Sequence, residues 1–173
     1  MRSVIKNKKG VSTIIGYVLL ITFGIIMSII VYSYLKSYVP KESLQCPDGV
    51  SVFLKEYNCN STVVNVTLKN NGRFNFAGYY IHATTSPTQE LATLDLAANF
   101  SNESGQYLFG NSIIFSLGDV NVMKPNIEQT THFALDQNIY SLEIIPVRFQ
   151  EVENQNRFIS CGNAKIKETL TCT

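Results

Sequence analysis

Residues 11–35, with the sequence VSTIIGYVLLITFGIIMSIIVYSYL, decide the fold because they form an uninterrupted run of 25 uncharged residues. As an α-helix this run spans about 37 Å at about 1.5 Å per residue, which exceeds a hydrocarbon core of about 30 Å. Its apolar residues surround the helix on every side, as lipid or a helix bundle requires. The run therefore predicts one helix over residues 11–39 that crosses a membrane.

The charges on either side of the run indicate its orientation. Four basic residues precede it: Arg2, Lys6, Lys8 and Lys9. Lys36 and Lys41 follow it, the second beside Glu42. The positive-inside rule places the N-terminus in the cytoplasm and the rest of the chain outside the cell. An aromatic belt fits the far end, where three tyrosines gather: Tyr32, Tyr34 and Tyr38.

The remainder of the chain is slightly acidic. The whole protein carries 14 Lys and Arg against 13 Asp and Glu, a net charge of +1. Four of those basic residues precede Val11, so the chain from Val11 onward has ten against thirteen, a net charge of −3. Phosphate binding needs clustered positive charge. We therefore expect no nucleic acid partner.

A cleavage-like feature precedes the apolar run. The run is longer than the core of about 7–15 residues in a secretory signal, and no small-x-small site follows it. Instead Lys8, Lys9 and Gly10 stand directly before Val11. The stretch 10–21, GVSTIIGYVLLI, resembles the N-terminus of archaeal type IV pilins and archaellins, which have a class III leader.

This resemblance, which covers roughly the first 40 residues, implies processing by a prepilin peptidase between Gly10 and Val11. Residues 1–10 would be the leader, and the mature helix would pass from the bilayer into the core of a surface filament. The implied partners are copies of the chain or related pilins, an assembly ATPase and a membrane platform protein. Bacterial type IV pilins have an acidic residue at the position that corresponds to Ile15 here. Archaeal members of the family commonly lack that acidic residue.

Subunit register would then depend on helix packing rather than on a buried charge pair. Small residues four apart let helices approach closely. The helix has two such pairs, Ser12 with Gly16 and Gly24 with Ser28. We interpret them as the packing surface of the helix.

The pattern changes to period two after a linker over residues 40–49, which contains Pro40, Pro47 and Gly49. Apolar and polar residues alternate as in half-buried strands. We predict strands over residues 50–55, 63–69, 76–84, 112–117, 128–135, 140–149 and 164–171. Asn70-Asn71-Gly72 is a turn signal, and residues 86–110 predict a loop or a short helix near 90–98. The fold class is therefore α+β, a long apolar helix followed by an extracellular, immunoglobulin-like β-sandwich over residues 50–173.

The four cysteines all follow the helix, which suggests disulfides in an exported domain: Cys46, Cys59, Cys161 and Cys172. The first two flank the first strand and the last two flank the last strand. An extended strand of about 10 residues exceeds about 30 Å, far beyond the Cα separation of about 4.4–6.8 Å in a disulfide. We therefore expect two disulfides that join the first strand to the last. If these strands are parallel, the disulfides are Cys46–Cys161 and Cys59–Cys172. Antiparallel strands would give Cys46–Cys172 with Cys59–Cys161. We slightly favour the parallel pairing, and a bend at Gly49 or Gly162 would permit local pairing.

Four sequons for N-glycosylation lie on the same side of the helix as the cysteines. Their asparagines are Asn60, Asn65, Asn99 and Asn102. The location of the sequons agrees with export of this part of the chain.

Nothing in the sequence indicates an enzyme. The two histidines, His82 and His132, lie in strand patterns, and no spacing typical of a zinc or calcium site is present. No phosphate loop or nucleophile elbow is present. We expect no catalytic residue, metal or cofactor. The chain is interpreted as a filament subunit, with a minor pilin or adhesin, or an uncleaved single-pass surface binding protein, as alternatives.

Overall fold

The computed structural model describes residues 8–38, 45–101, 105–152 and 154–172. The chain divides into two compact units, residues 1–43 and residues 44–173. The described part of the first unit is a helix, α1, over Lys8–Tyr38. The second unit is built from β-strands.

Helix α1 is long and apolar enough to span a bilayer. Its segment Ile14–Tyr38 has 25 residues and a mean hydropathy of 2.7. The predicted long apolar helix is therefore confirmed. In the described residues the helical backbone includes residues 8–10, which precede the predicted cleavage point. The predicted end near Pro40 lies outside the described residues.

The second unit has ten strands in the described residues, and every pairing between them is antiparallel. They are β1 Val52–Cys59, β2 Val63–Asn70, β3 Gly78–Thr84, β4 Leu94–Asp95, β5 Tyr107–Phe109, β6 Ser112–Ile114, β7 Glu128–Ala134, β8 Ser141–Val152, β9 Gln155–Ser160 and β10 Ile166–Thr169. Two short 3-10 helices lie at Ala97–Asn99 and Gly162–Ala164. The α+β class, with an all-antiparallel β domain, is confirmed.

The strands form two sheets. One has three strands in the order β1-β2-β7. The other has seven, with the path β10-β8-β3-β6-β5, while β4 pairs with β3 and β9 pairs with β8. Strand β8 is long enough to pair with β10 near its start and with β9 near its end.

One hydrophobic core joins the two sheets. In β2 the alternation predicted from sequence holds, because Val64, Val66 and Leu68 are fully buried. Tyr79 and Ile81 of β3 face them within the same cluster of buried side chains. Gly78 is required where β3 meets β6, because an added Cβ would collide with the carbonyl of Ile113.

The structure also differs from the predicted strands. Strands β4, β5 and β9 were not predicted, since two of them are very short and β9 is rich in polar residues. The Asn70-Asn71-Gly72 signal is a turn, but it leads into a longer connection rather than a hairpin, because β2 pairs with β1 and β7 and not with β3. The irregular segment 86–110 contains β4, β5 and the first 3-10 helix.

Candidate functional site

The surface of α1 is the first candidate site. Every side chain over residues 14–38 is exposed in the single chain. Large apolar side chains lie on all sides of the helix, among them Ile15, Leu20, Phe23 and Ile30. A chain alone in water would leave this surface uncovered, at a cost of roughly 25 cal/mol for each Å² of apolar area. Apolar surroundings of any kind would remove this cost.

Two hydroxyl groups of α1 are hydrogen-bonded to carbonyls of the helix itself. The hydroxyl of Ser28 donates to the carbonyl of Gly24 at 2.8 Å, and the hydroxyl of Thr22 donates to the carbonyl of Leu19 at 3.0 Å. Such back-bonding removes the cost of placing a hydroxyl in apolar surroundings. These two residues add no unpaired polar group to the surface of α1.

Two pairs of small residues, called the two notches below, lie on α1: Ser12 with Gly16 and Gly24 with Ser28. A Cβ added at Gly16 or Gly24 would meet nothing within 4 Å. At about 100° per residue, the Ser12–Gly16 pair and the Gly24–Ser28 pair are centred about 120° apart around the helix. Each pair leaves room for another helix to approach closely. Two notches on two faces suit a helix with several neighbours.

The predicted cleavage residues lie at the start of α1. The structure places the backbone of Lys8, Lys9, Gly10 and Val11 in the helix. Near the other end, the hydroxyl of Tyr34 lies 3.3 Å from that of Tyr38, and Lys36 lies in the last turn. Lys8 and Lys9 therefore lie at the opposite end of the helix from the tyrosines.

Two disulfides close the β domain, Cys46–Cys161 and Cys59–Cys172. Their Cα atoms are 5.1 and 4.9 Å apart. Among the pairings that the spacing left open, this is the parallel one. The segment that contains β1 is thus fastened at both ends to the segment that contains β10, so the edge strand of one sheet is held to the edge strand of the other.

The two sheets expose different outer faces. On the three-stranded sheet, the ammonium of Lys55 lies 2.6 Å from the carboxylate of Glu128, with Lys69 at 3.6 Å. The hydrogen bond from Lys55 lowers the pKa of Glu128 and raises that of Lys55. The seven-stranded sheet instead has an aromatic cluster around Phe158, whose ring centre lies 5.0–5.1 Å from those of Phe149 and Phe109.

The sequon asparagines are not brought together. Asn60 lies in the turn between β1 and β2, Asn65 lies within β2, and Asn99 ends the first 3-10 helix. Asn102 lies outside the described residues. The two histidines are half-buried in β3 and β7. Among the described residues, no group of three or more His, Cys, Asp or Glu is placed to hold a metal ion.

Sequence reasoning missed two residues that organise the domain. The side chain of Asn70 is fully buried, and its amide donates to the carbonyls of Phe74 and Met123 at 3.0 and 2.8 Å. Its Oδ1 accepts the N–H of Gly72 at 2.9 Å. The second residue is Tyr79, whose hydroxyl hydrogen-bonds across the core to Thr131. An Asn at the end of a predicted strand is a weak signal for such a role.

Comparisons of the chain with protein-family models, with curated proteins and with solved structures find no match.

Proposed function

We propose that this chain is a structural subunit of an archaeal type IV pilus-like surface filament. One observation carries the proposal: α1 is apolar on all sides, and every side chain over residues 14–38 is exposed in the single chain. Before assembly the helix lies in the membrane with its N-terminus in the cytoplasm. After assembly it packs with other copies in the filament core, and the β domain is displayed outside.

The physical basis is an exchange of similar surroundings. A helix that is apolar all round is stable in lipid and in a bundle of its own kind. Because the change replaces one apolar environment by another, it costs little in hydrophobic free energy. The two notches, at Ser12–Gly16 and Gly24–Ser28, then allow close packing against neighbours on two faces.

The β domain fits a role outside the cell. Disulfides persist in oxidising compartments, and here two of them hold the first strand to the last. We infer an immunoglobulin-like sandwich, supported by the strand orders β1-β2-β7 and β10-β8-β3. They correspond to the orders A-B-E and G-F-C of that fold.

The mature N-terminus tests the proposal. Protein from the host's membranes and sheared surface material should begin at Val11 by intact mass. Replacing both Lys8 and Lys9 by Ala should leave the leader attached and abolish filaments, whereas Lys36→Ala, a charge change at the other end of α1, should be processed normally. A wild-type protein with Met1 intact would instead support an uncleaved single-pass binding protein.

A minor pilin or adhesin is the second candidate. The observation that favours it is the aromatic cluster on the outer face of the seven-stranded sheet, where Phe109 is 49% exposed. Exposed aromatic side chains are common at binding surfaces. The number of copies in purified filaments separates the two functions, because a major subunit accounts for most of the filament mass.

A further inference from the structure

Asn60 occupies the turn between β1 and β2 in a fixed conformation. Its Oδ1 accepts the backbone N–H groups of Thr62 and Val63, each at 2.9 Å. It also accepts the hydroxyl of Thr62 at 3.0 Å. Within the described residues Nδ2 donates no hydrogen bond, and Asn60 is exposed. The amide is therefore held by its oxygen, in a residue that is exposed to solvent.

This arrangement suits attack by the amide nitrogen on a sugar. The hydroxyl of Thr62, which completes the sequon Asn60-Ser61-Thr62, already contacts the amide that would react. Three hydrogen bonds to Oδ1 stabilise the negative charge that develops on the amide as Nδ2 loses a proton. The conformation that the folded turn adopts is thus close to the one that the reaction needs.

The sequon at Asn65 is engaged within the sheet. Oδ1 of Asn65 contacts Nδ1 of His132, its neighbour on β7. The sequon hydroxyl, on Thr67, is 2.9 Å from the hydroxyl of Thr130 and only 8% exposed. The residue pair that a glycosyl transferase must reach is therefore half-buried between strands.

The sequon at Asn99 is engaged through the nitrogen itself. Nδ2 of Asn99 donates to the carboxylate of Asp136 at 3.2 Å, and Asn99 is half-buried. The backbone N–H of Ser101, the third residue of this sequon, donates to the carbonyl of His132 at 3.0 Å. Sugar transfer would require this segment to release those contacts first.

The position of Asn60 also leaves space for a sugar. Asn60 directly follows Cys59, at the end of β1 remote from Cys46, so roughly 26 Å of strand separate it from the end where the chain enters the domain. A glycan on Asn60 would lie at the end of β1 that carries the Cys59–Cys172 disulfide and would cover that disulfide.

We propose that Asn60 is the N-glycosylation site among the three sequons whose asparagines lie in the described residues, Asn60, Asn65 and Asn99. The donor is a lipid-linked sugar phosphate: Nδ2 forms a bond to the anomeric carbon, the bond from that carbon to the phosphate oxygen breaks, and one proton leaves Nδ2. The lipid phosphate is the leaving group, and no oxidant or reductant is needed. The proposal relies on the proposed function only for export of the domain.

Mass spectrometry of the intact protein and its peptides from the native host tests the site. Asn60→Asp keeps the acceptor oxygen of the turn but removes the nucleophile, and it should lose the entire glycan mass at this site. Thr62→Ala should do the same, whereas Thr62→Ser, which keeps the hydroxyl, should retain the glycan. Asn65→Asp and Asn99→Asp should leave the glycan mass unchanged.

Two results would overturn the site. The first is an unmodified Asn60 in wild-type protein whose N-terminus is Val11, which would leave the filament function standing. The second is a glycan that survives Asn60→Asp and disappears with Asn65→Asp or Asn99→Asp. A sugar on Asn60 in a protein that retains Met1 would support the site while contradicting the filament function, so the two proposals fail separately.

Discussion

The hydroxyl of Tyr79 donates a hydrogen bond to the hydroxyl of Thr131 at 2.6 Å, and this bond crosses the core between the two sheets. Tyr79 lies in β3 of the seven-stranded sheet, and Thr131 lies in β7 of the three-stranded sheet. Both side chains are buried, with exposed fractions of 0% and 1%. A buried hydroxyl needs a hydrogen-bond partner, and the hydroxyls of Tyr79 and Thr131 are partners of each other.

We expect Tyr79→Phe to lower the free energy of unfolding by about 1–2 kcal/mol, because the hydroxyl of Thr131 would lose its partner inside the core. Urea unfolding of the detergent-solubilised protein measures the change. The matched control is Tyr80→Phe, whose hydroxyl has no hydrogen-bond partner among the described residues, and it should change stability by less than about 0.5 kcal/mol. Equal losses in the two variants would contradict a role for the cross-core bond.

Alkaline pH should weaken the domain through the same residue. Burial raises the pKa of Tyr79 above its ordinary value. The folded protein therefore keeps the Tyr79 proton after the unfolded chain begins to lose it near pH 10, so stability falls as pH rises above about 10. Unfolding curves between pH 8 and pH 11 should show a shallower fall for Tyr79→Phe than for wild type or Tyr80→Phe.

Asn70 should be one of the most sensitive positions in the domain. Its side chain makes three hydrogen bonds and joins the end of β2 to Met123, 53 residues away. Asn70→Ala would leave buried carbonyl and N–H groups unpaired, and we expect a loss of about 3–5 kcal/mol in unfolding free energy. Asn71→Ala, at the exposed neighbouring position, should cost less than about 1 kcal/mol in the same measurement.

Strand β2, Tyr79 and Asn70 show which features of the fold can be predicted from the sequence and which cannot. The alternation in β2 predicts which side chains of that strand are buried, because a strand with one face in the core must repeat with period two. The hydrogen bond of Tyr79 to Thr131 and that of Asn70 to Met123 join residues more than fifty positions apart. Local patterns contain no information about such pairs.

The disulfides, too, could be predicted from the sequence only in part. The matched spacing of the cysteines predicts two cross-links between the first and last strands, whereas the choice between the parallel and antiparallel pairings depends on how the strands are placed in the fold. Strands β4 and β5 could not be predicted from sequence patterns, for another reason. They have two and three residues, and they are defined by pairing with β3 and β6 rather than by any repeat of their own.

Whichever disulfide is removed second should contribute more to stability than the one removed first. With both present, the segments 46–59 and 161–172 form a closed ring of roughly two dozen residues, so loss of one disulfide releases a short loop and costs about 3 kcal/mol in the chain-entropy model. Loss of the second then releases a loop of more than 110 residues and costs about 5 kcal/mol.

Chemical unfolding of three variants measures this coupling. Cys46→Ser/Cys161→Ser and Cys59→Ser/Cys172→Ser should each lose about 3 kcal/mol of unfolding free energy, and the variant without cysteines should lose more than the sum of the two. Non-reducing peptide maps of wild type provide the control, since they should contain only the two cross-linked pairs. A peptide that joins Cys46 to Cys59 would contradict the structure itself.

The notches of α1 should matter for assembly and not for insertion into the membrane. Gly24→Leu fills the second notch and leaves the helix at least as apolar as before, so we expect normal processing and membrane insertion. We also expect at least a tenfold loss of sheared filaments, because neighbouring helices can no longer approach closely. Leu20→Ile, on the same helix but outside both notches, should leave filament yield within about twofold of wild type, since it conserves volume. Immunoblots of membranes against sheared filaments measure both effects in one experiment. Wild-type filament yield from Gly24→Leu would show that the small residues are not the packing surface, and loss of membrane-bound protein would show that the defect precedes assembly.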